Sequence, residues 1–160
     1  MIQRIQTVYL LLAAILCLSA LGAVVGVWEE AGTGAEAAAF SNFSLRSPIL
    51  SDVCGPYALG VLLVIAAAID IVALLLFRFR MRQLRLVIFS QILRVGYVAV
   101  YIFFAWLYGQ KLSLALPDMD FRFRLRLMAL MPVVAFVLAA LAIHGIRKDE
   151  ALVRSLDRLR

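Results

Sequence analysis

The fold is decided by two long apolar stretches, residues 57–77 (YALGVLLVIAAAIDIVALLLF) and residues 86–108 (LVIFSQILRVGYVAVYIFFAWLY). A helix needs about 20 mostly apolar residues to cross a hydrocarbon layer about 30 Å thick, and each stretch has that length. The connection between them, residues 78–85, contains four arginines. The two stretches therefore predict membrane-spanning helices that form an antiparallel hairpin with a short basic connection.

Two further apolar stretches lie near the ends of the chain. The chain has 160 residues, of which 65% are hydrophobic and 16% charged, whereas soluble domains average roughly 45–50% apolar and about 25% charged residues. This composition excludes an ordinary soluble enzyme and a disordered chain. The predicted fold class is all-α, an integral membrane bundle of four transmembrane helices in a single domain, residues 1–160. The predicted spans are about 5–28, 57–77, 86–108 and 125–146, followed by a tail at 147–160.

The first stretch has a second interpretation, a cleaved signal peptide. Its apolar run is longer than the hydrophobic region of about 7–15 residues that signal peptides carry, which favours a retained span. The segment that follows, residues 29–56, is rich in alanine, glycine and serine. We expect this segment to be an outer loop that does not build a domain of its own.

The distribution of lysine and arginine predicts the orientation. Ten of the 16 basic residues lie in the N-terminal segment, the basic connection or the tail, and five lie in the segments on the other side. Because basic residues accumulate on the cytoplasmic side, both termini are predicted to be cytoplasmic. Residues 121–126 do not follow this distribution, because three arginines lie there at the outer start of the last span.

Asp70 and Arg94 are the two charged residues that lie deep within the predicted spans, away from the span ends. At ~1.5 Å per residue, each lies about 10–12 Å from the cytoplasmic end of its helix, so we expect them to meet across the hairpin. An unpaired charge at that depth costs roughly 2.5–3.5 kcal/mol on insertion scales, which makes an ion pair the favoured arrangement. Ala66 and Ala67, one turn before Asp70, would let the two helices approach closely.

Several polar residues share the helical face of Arg94. At 100° per residue, Ser90, Tyr97, Tyr101 and Tyr108 fall on this face and form a predicted polar seam. One interpretation is a path for protons or ions, or a binding site for a lipid or quinone headgroup. The other is a clamp that holds the helix pair together. The clamp is favoured, because one charge pair without further carboxylates is little for transport.

The basic residues near the predicted cytoplasmic face are candidates for binding anionic lipid headgroups or a protein partner. The tail is predicted to continue as a short amphipathic helix that lies on the membrane or docks a partner. Nucleic acid is not expected as a partner, because no domain presents the charge. The candidate binding residues are Arg78, Arg80, Arg82, Arg85, Arg154 and Arg158.

The sequence predicts no enzyme, metal or cofactor. It has one histidine, His144, and two distant cysteines, Cys17 and Cys54, so neither a metal site nor a thiol oxidoreductase pair is expected. It also has no recognisable nucleophile and base set. Gly22 and Gly26 form a small-residue pair, read as helix packing, with formation of a homo-oligomer as the alternative.

The two ends of the chain carry a family resemblance. Residues 1–13 read MIQRIQTVYLLLA and residues 141–160 read LAIHGIRKDEALVRSLDRLR. Together with the basic connection, they resemble a family of four-helix membrane proteins from Bacteroidetes catalogued as a domain of unknown function, number 4293. The resemblance extends over nearly the whole chain, although His144 stands where members commonly have arginine. It implies a bacterial inner membrane location and contributes no activity and no catalytic residue.

These observations predict a non-enzymatic, multi-pass inner-membrane protein. The favoured function is an accessory or scaffold subunit that presents its basic connection and its tail to a membrane-protein partner or to anionic lipid. The alternative is a small transporter or channel-like protein that uses the pair of Asp70 and Arg94. It would work as an oligomer, because four helices enclose little space for a pore.

Overall fold

The computed structural model describes residues 2–50, 55–76 and 79–157. Four α-helices make up most of this described part: α1 (Ile2–Ala20), α2 (Tyr57–Leu75), α3 (Arg80–Ala115) and α4 (Met131–Asp157). A 3₁₀ turn at Leu127–Leu130 leads into α4. The described residues also form four short strands: β1 (Val24–Glu30), β2 (Glu36–Ser41), β3 (Leu45–Arg46) and β4 (Phe121–Leu125).

Among the described residues, three helical segments are long and apolar enough to cross a membrane: Tyr57–Leu75, Arg80–Ala115 and Leu127–Ala151. A fourth apolar helical segment, Ile5–Ala20, is shorter. The outward faces of these helices expose large apolar side chains, among them Ile15, Ile92 and Phe103. An exposed apolar surface of this extent is typical of contact with lipid or with another protein. The mostly helical fold therefore fits a membrane protein, as the sequence predicts.

The first helix ends earlier than predicted. It was expected to run to Trp28, but it ends at Ala20, and residues 24–30 form β1. An apolar run alone does not distinguish a buried strand from a helix. Val24, Val25, Val27 and Trp28 belong to the residue types that favour strands, and here β2 and β4 are available to pair with them.

A small antiparallel sheet makes the all-α prediction incomplete. Its strand order is β3-β2-β1-β4, so a strand from the end of the chain pairs with one from its beginning. The segment expected to form no domain supplies β2 and β3, and the arginine-rich residues 121–125 supply β4. We call the end of the helices that carries this sheet the sheet end, and the end where α2 connects to α3 the hairpin end.

An aromatic cluster joins the sheet to α3. The ring centroid of Trp28 lies 5.3 Å from that of Phe40, 4.9 Å from that of Phe123 and 6.1 Å from that of Tyr108. Phe40 also lies 5.4 Å from Tyr101, measured between ring centroids. Because α3 has 36 residues and rises ~1.5 Å per residue, it is about 54 Å long. It is therefore long enough to extend past the hydrocarbon layer and support the sheet.

Small buried residues bring the helices together. In α1 they include Ala13 and Cys17, in α2 Ala66 and Ala67, and in α4 Ala139, all less than 3% exposed. Side chains of this size allow close approach of helix backbones. α1 packs along both α2 and α4, and α2 packs along α3.

The two end segments that carry the family resemblance pack against each other. Gln6 of α1 donates a hydrogen bond from Nε2 to Asp149 Oδ2 of α4 at 2.8 Å, and both residues are buried. A Cβ atom at Gly145 would lie 3.1 Å from the Gln6 side chain, so glycine leaves the room that this contact needs. The structure also continues α4 through the tail as far as Asp157.

Replacement of Gly26 by alanine is expected to lower the free energy of unfolding by about 2 kcal/mol, the usual cost of overpacking a filled core. The new Cβ would overlap the Phe40 ring and lie 2.8 Å from Phe123 Cε2. Phe40 is fully buried, so its ring cannot move aside freely. Thermal unfolding in detergent, followed by tryptophan fluorescence, measures the effect. The matched control is Gly32→Ala, whose Cβ would meet nothing within 4 Å. Equal melting temperatures for the two variants would contradict the expectation.

Candidate functional site

The candidate site centres on an ion pair between α2 and α3. Arg94 donates from Nη2 to Asp70 Oδ2, and the two side chains are 1% and 0% exposed. Ser90 Oγ donates to the second carboxylate oxygen, Asp70 Oδ1, at 2.7 Å. The structure thus brings together the two charged residues that the sequence places within the spans, with one residue of the polar seam beside them.

Arg94 is held from its own helix as well. Its Nη1 donates to Ser90 Oγ at 3.1 Å and to Gln91 Oε1 at 3.3 Å. Gln91 in turn donates from Nε2 to the backbone carbonyl of Phe136 at 2.8 Å, which connects α3 to α4. Within the part of the chain that the structure describes, Arg94 Nε is buried and has no hydrogen-bond partner.

Cys17 completes the surroundings of the pair on the side of α1. It is a free, buried cysteine whose thiol interacts with the Arg94 side chain. Cys54 lies outside the described residues. The pair therefore contacts or connects to all four helices: Asp70 lies on α2, Ser90 on α3, Cys17 on α1, and Gln91 reaches α4.

The polar seam continues from the pair towards the sheet. Tyr97 donates from its hydroxyl to Asn42 Oδ1 at 2.9 Å, and Asn42 Nδ2 donates to the Ala20 carbonyl at 2.6 Å. Tyr101 donates from its hydroxyl to the Val25 carbonyl at 2.9 Å. Ser90, Tyr97, Tyr101 and Tyr108 are all buried on one face of α3, as a seam requires. Together these residues form a polar column inside the apolar helices.

Asn42 is a site residue that the sequence did not reveal. It is fully buried between β2 and β3, and its backbone carbonyl also accepts a hydrogen bond from the Gly60 amide at 3.0 Å. It thereby connects the end of α1, the start of α2 and the middle of α3. Its neighbours Ser41 and Ser44 are typical of a turn, and this signal predicts the turn but not an inward-pointing amide.

The arrangement is suited to holding helices rather than to acid–base or metal chemistry. Both oxygens of Asp70 already accept hydrogen bonds, and its charge is balanced by Arg94. A buried ion pair with these additional hydrogen bonds resists separation, because removal of either partner leaves the other as an uncompensated buried charge. Within the described residues, no group of three histidine, cysteine, aspartate or glutamate side chains is placed to hold a metal ion. His144 is exposed on α4.

The predicted lipid-binding arginines lie at the hairpin end where they are described. Arg82 and Arg85 are exposed and Arg80 is partly buried, and the Arg82 guanidinium carbon lies 4.9 Å from the centroid of the Phe79 ring. Arg154 belongs to α4. Arg78 and Arg158 lie outside the described residues.

Residues 2–159 match the family described as Domain of unknown function (DUF4293). Because the match covers nearly the whole chain, the protein belongs to this family, which confirms the resemblance of its two ends. No curated protein matches.

Proposed function

We propose that this DUF4293 member is a non-enzymatic, multi-pass inner-membrane protein that acts as an accessory or scaffold subunit. In this proposal its hairpin end faces the cytoplasm and binds anionic phospholipid headgroups, which fix the subunit beside its membrane partner. Four helices cross the membrane, and the sheet lies on the opposite, outer side. The apolar helix surfaces and the excess of basic residues at one end support this arrangement.

The observation that carries the proposal is the uncompensated positive charge at the hairpin end. Arg80, Arg82 and Arg85 project from the first turns of α3, and within the described residues none of them forms an ion pair. By contrast, Arg124 and Arg126 at the sheet end pair with Glu29 and Glu36. Free arginines beside the end of an apolar helix lie at the level of phospholipid headgroups, where each contributes about 1 kcal/mol to binding of anionic lipid.

The test is lipid retention by the full-length protein from nanodiscs that contain equal amounts of phosphatidylglycerol and phosphatidylcholine. Native mass spectrometry counts the lipids that stay bound. We expect the triple variant R80Q/R82Q/R85Q to retain about tenfold less phosphatidylglycerol, because it loses the attraction of three arginines for the lipid headgroups. Salt screens part of this attraction, which keeps the expected loss below the full contribution of three charges. The control R46Q/K111Q/R122Q removes three exposed charges at the sheet end and should retain wild-type amounts. Equal retention by both variants would refute the proposal.

A second candidate function is transport of a proton or small ion. The polar column from Asp70 through Arg94 and Tyr97 to Asn42 favours it, since it carries polar groups through an apolar interior. This candidate predicts pH-driven or ion-driven flux in proteoliposomes, lost in the folded double variant D70L/R94L. The accessory subunit predicts no flux above protein-free vesicles, either before or after the substitution.

A further inference from the structure

Strand β4 forms one edge of the sheet, and among the described residues no strand lies beyond it. At one end of this segment the Arg126 amide donates to the Val25 carbonyl. At the other end the Asp120 carbonyl accepts from the Ala31 amide. Because successive residues of a strand point their backbone groups to opposite sides, every second residue between these ends points away from β1. Within the described residues, no hydrogen bond reaches the outward backbone groups. They belong to Phe121, Phe123 and Leu125.

The inner end of β4 lies at the level of apolar side chains on the outer surface of α3. Leu125 is the register partner of Gly26 in β1. The neighbouring Val25 carbonyl accepts a hydrogen bond from the Tyr101 hydroxyl, and Ile102, next to Tyr101 in α3, is 62% exposed. In the membrane location proposed above, on which this inference rests, such a side chain faces acyl chains. Lipid cannot satisfy backbone N–H and C=O groups, so an open sheet edge at this depth calls for a strand that covers it.

We propose that β4 pairs with β4 of a second copy of this chain, antiparallel about a two-fold axis at Phe123. The two four-stranded sheets then form one continuous sheet. In this register the outward backbone groups of Phe121 meet those of Leu125 in the second copy, and Phe123 meets its own counterpart, so all of them are paired. The same three side chains share the face that packs against the helices, where the Phe123 ring centroid lies 4.9 Å from that of Trp28. Apolar residues therefore also meet apolar residues across the axis.

The opposite face of β4 carries the charged side chains. Asp120, which forms no ion pair within the described residues, would lie opposite Arg126 of the second copy at each end of the paired strands. Arg122 would lie opposite Arg124, whose charge Glu29 already balances through an ion pair at 3.1 Å. The opposed arginines therefore do not leave two uncompensated charges face to face. The charged face permits the pairing, and its two ends favour it.

The test is disulfide formation between two differently tagged full-length copies, co-expressed in a Cys54→Ser background and oxidised in isolated membranes. The remaining cysteine, Cys17, is buried. In the proposed register, positions 122 and 124 of different copies form a non-hydrogen-bonded pair with Cα atoms about 4.5 Å apart, within disulfide range. We expect R122C with R124C to give about tenfold more linked heterodimer than R46C with R124C, because only the first pair lies within that range. Arg46 lies in β3, at the opposite edge of the sheet. R122C alone should also link poorly, because its two copies lie about 8 Å apart.

Leu125→Pro tests the backbone pairing. The Leu125 amide points away from β1, so proline removes an outward donor without breaking a bond inside the sheet. Added to R122C and R124C, L125P should lower the heterodimer yield about tenfold, whereas the matched L125A should keep it. Melting followed by tryptophan fluorescence shows that both variants fold.

The proposal is overturned if R122C and R124C give no heterodimer, as a covering strand from another protein would require. It is also overturned if R46C links equally well, if R122C alone links equally well, or if folded L125P keeps the yield. None of these results would change the lipid-retention test, because the arginines substituted there lie at the hairpin end.

Discussion

Asp70→Leu is expected to lower the free energy of unfolding by about 3 kcal/mol, because it leaves the Arg94 guanidinium buried without its counter-charge. Arg94 is 1% exposed and surrounded by packed helices, so it cannot reach water without opening the α2–α3 contact. Ser90 also loses its acceptor on Asp70. The remaining acceptors of Arg94, Ser90 Oγ and Gln91 Oε1, are neutral and cannot balance the charge.

The double variant D70L/R94L is expected to recover most of this loss, because both charges are removed together. Reversible unfolding in mixed micelles with increasing SDS measures the free energies of the single and double variants. Val72→Leu, at an exposed position two residues away, is the control and should unfold like the wild type. A double variant that is as unstable as D70L would show that the pair does more than hold the hairpin.

Asn42→Ala is expected to lower the free energy of unfolding by about 3 kcal/mol. The Ala20 carbonyl and the Tyr97 hydroxyl lose their partners in an interior that water does not reach, and each unsatisfied group costs about 1–3 kcal/mol. The backbone bond from Gly60 to the Asn42 carbonyl is kept, so the turn itself should survive.

A double-mutant cycle with Tyr97→Phe separates the two losses. Once Asn42 is alanine, removal of the Tyr97 hydroxyl should cost little or increase stability, because that hydroxyl no longer has a partner. Ser113→Ala removes an exposed hydroxyl that bonds the Gly109 carbonyl and serves as the control. Strictly additive losses at positions 42 and 97 would mean that the bond between them contributes nothing.

The hairpin could be predicted because its signals are local. α2 begins at Tyr57 and ends at Leu75, close to the predicted bounds, since a mostly apolar run of this length, interrupted once by Asp70, has few other structures available. The contact of Asp70 with Arg94 follows from depth alone, because one short connection sets the register of the two helices. The positions of Ser90 and Tyr97 on the same face of α3 as Arg94 follow from the helical period of 3.6 residues.

The sheet could not be predicted, because its signals are distant in sequence. Residues 24–28 are as apolar as the helix before them, and only pairing with residues 36–41 and 121–125 makes them a strand. The arginines of β4 did not fit the predicted orientation, because basic residues are expected on the cytoplasmic side. In the structure Arg124 instead forms an ion pair with Glu29 of the neighbouring strand β1. The inward amide of Asn42 and the close contact of Gly145 with Gln6 likewise depend on tertiary packing that no local pattern encodes.

The pairing of β1 with β4 also constrains the order of biosynthesis. Glu29 and Arg122 are register partners although 93 positions separate them, and both α2 and α3 lie between them in the chain. The fourth strand of the sheet is therefore synthesised only after β1, β2 and the two middle helices. Until then one side of β1 lacks its backbone partner, so closure of the sheet marks the point at which synthesis has reached the last helix.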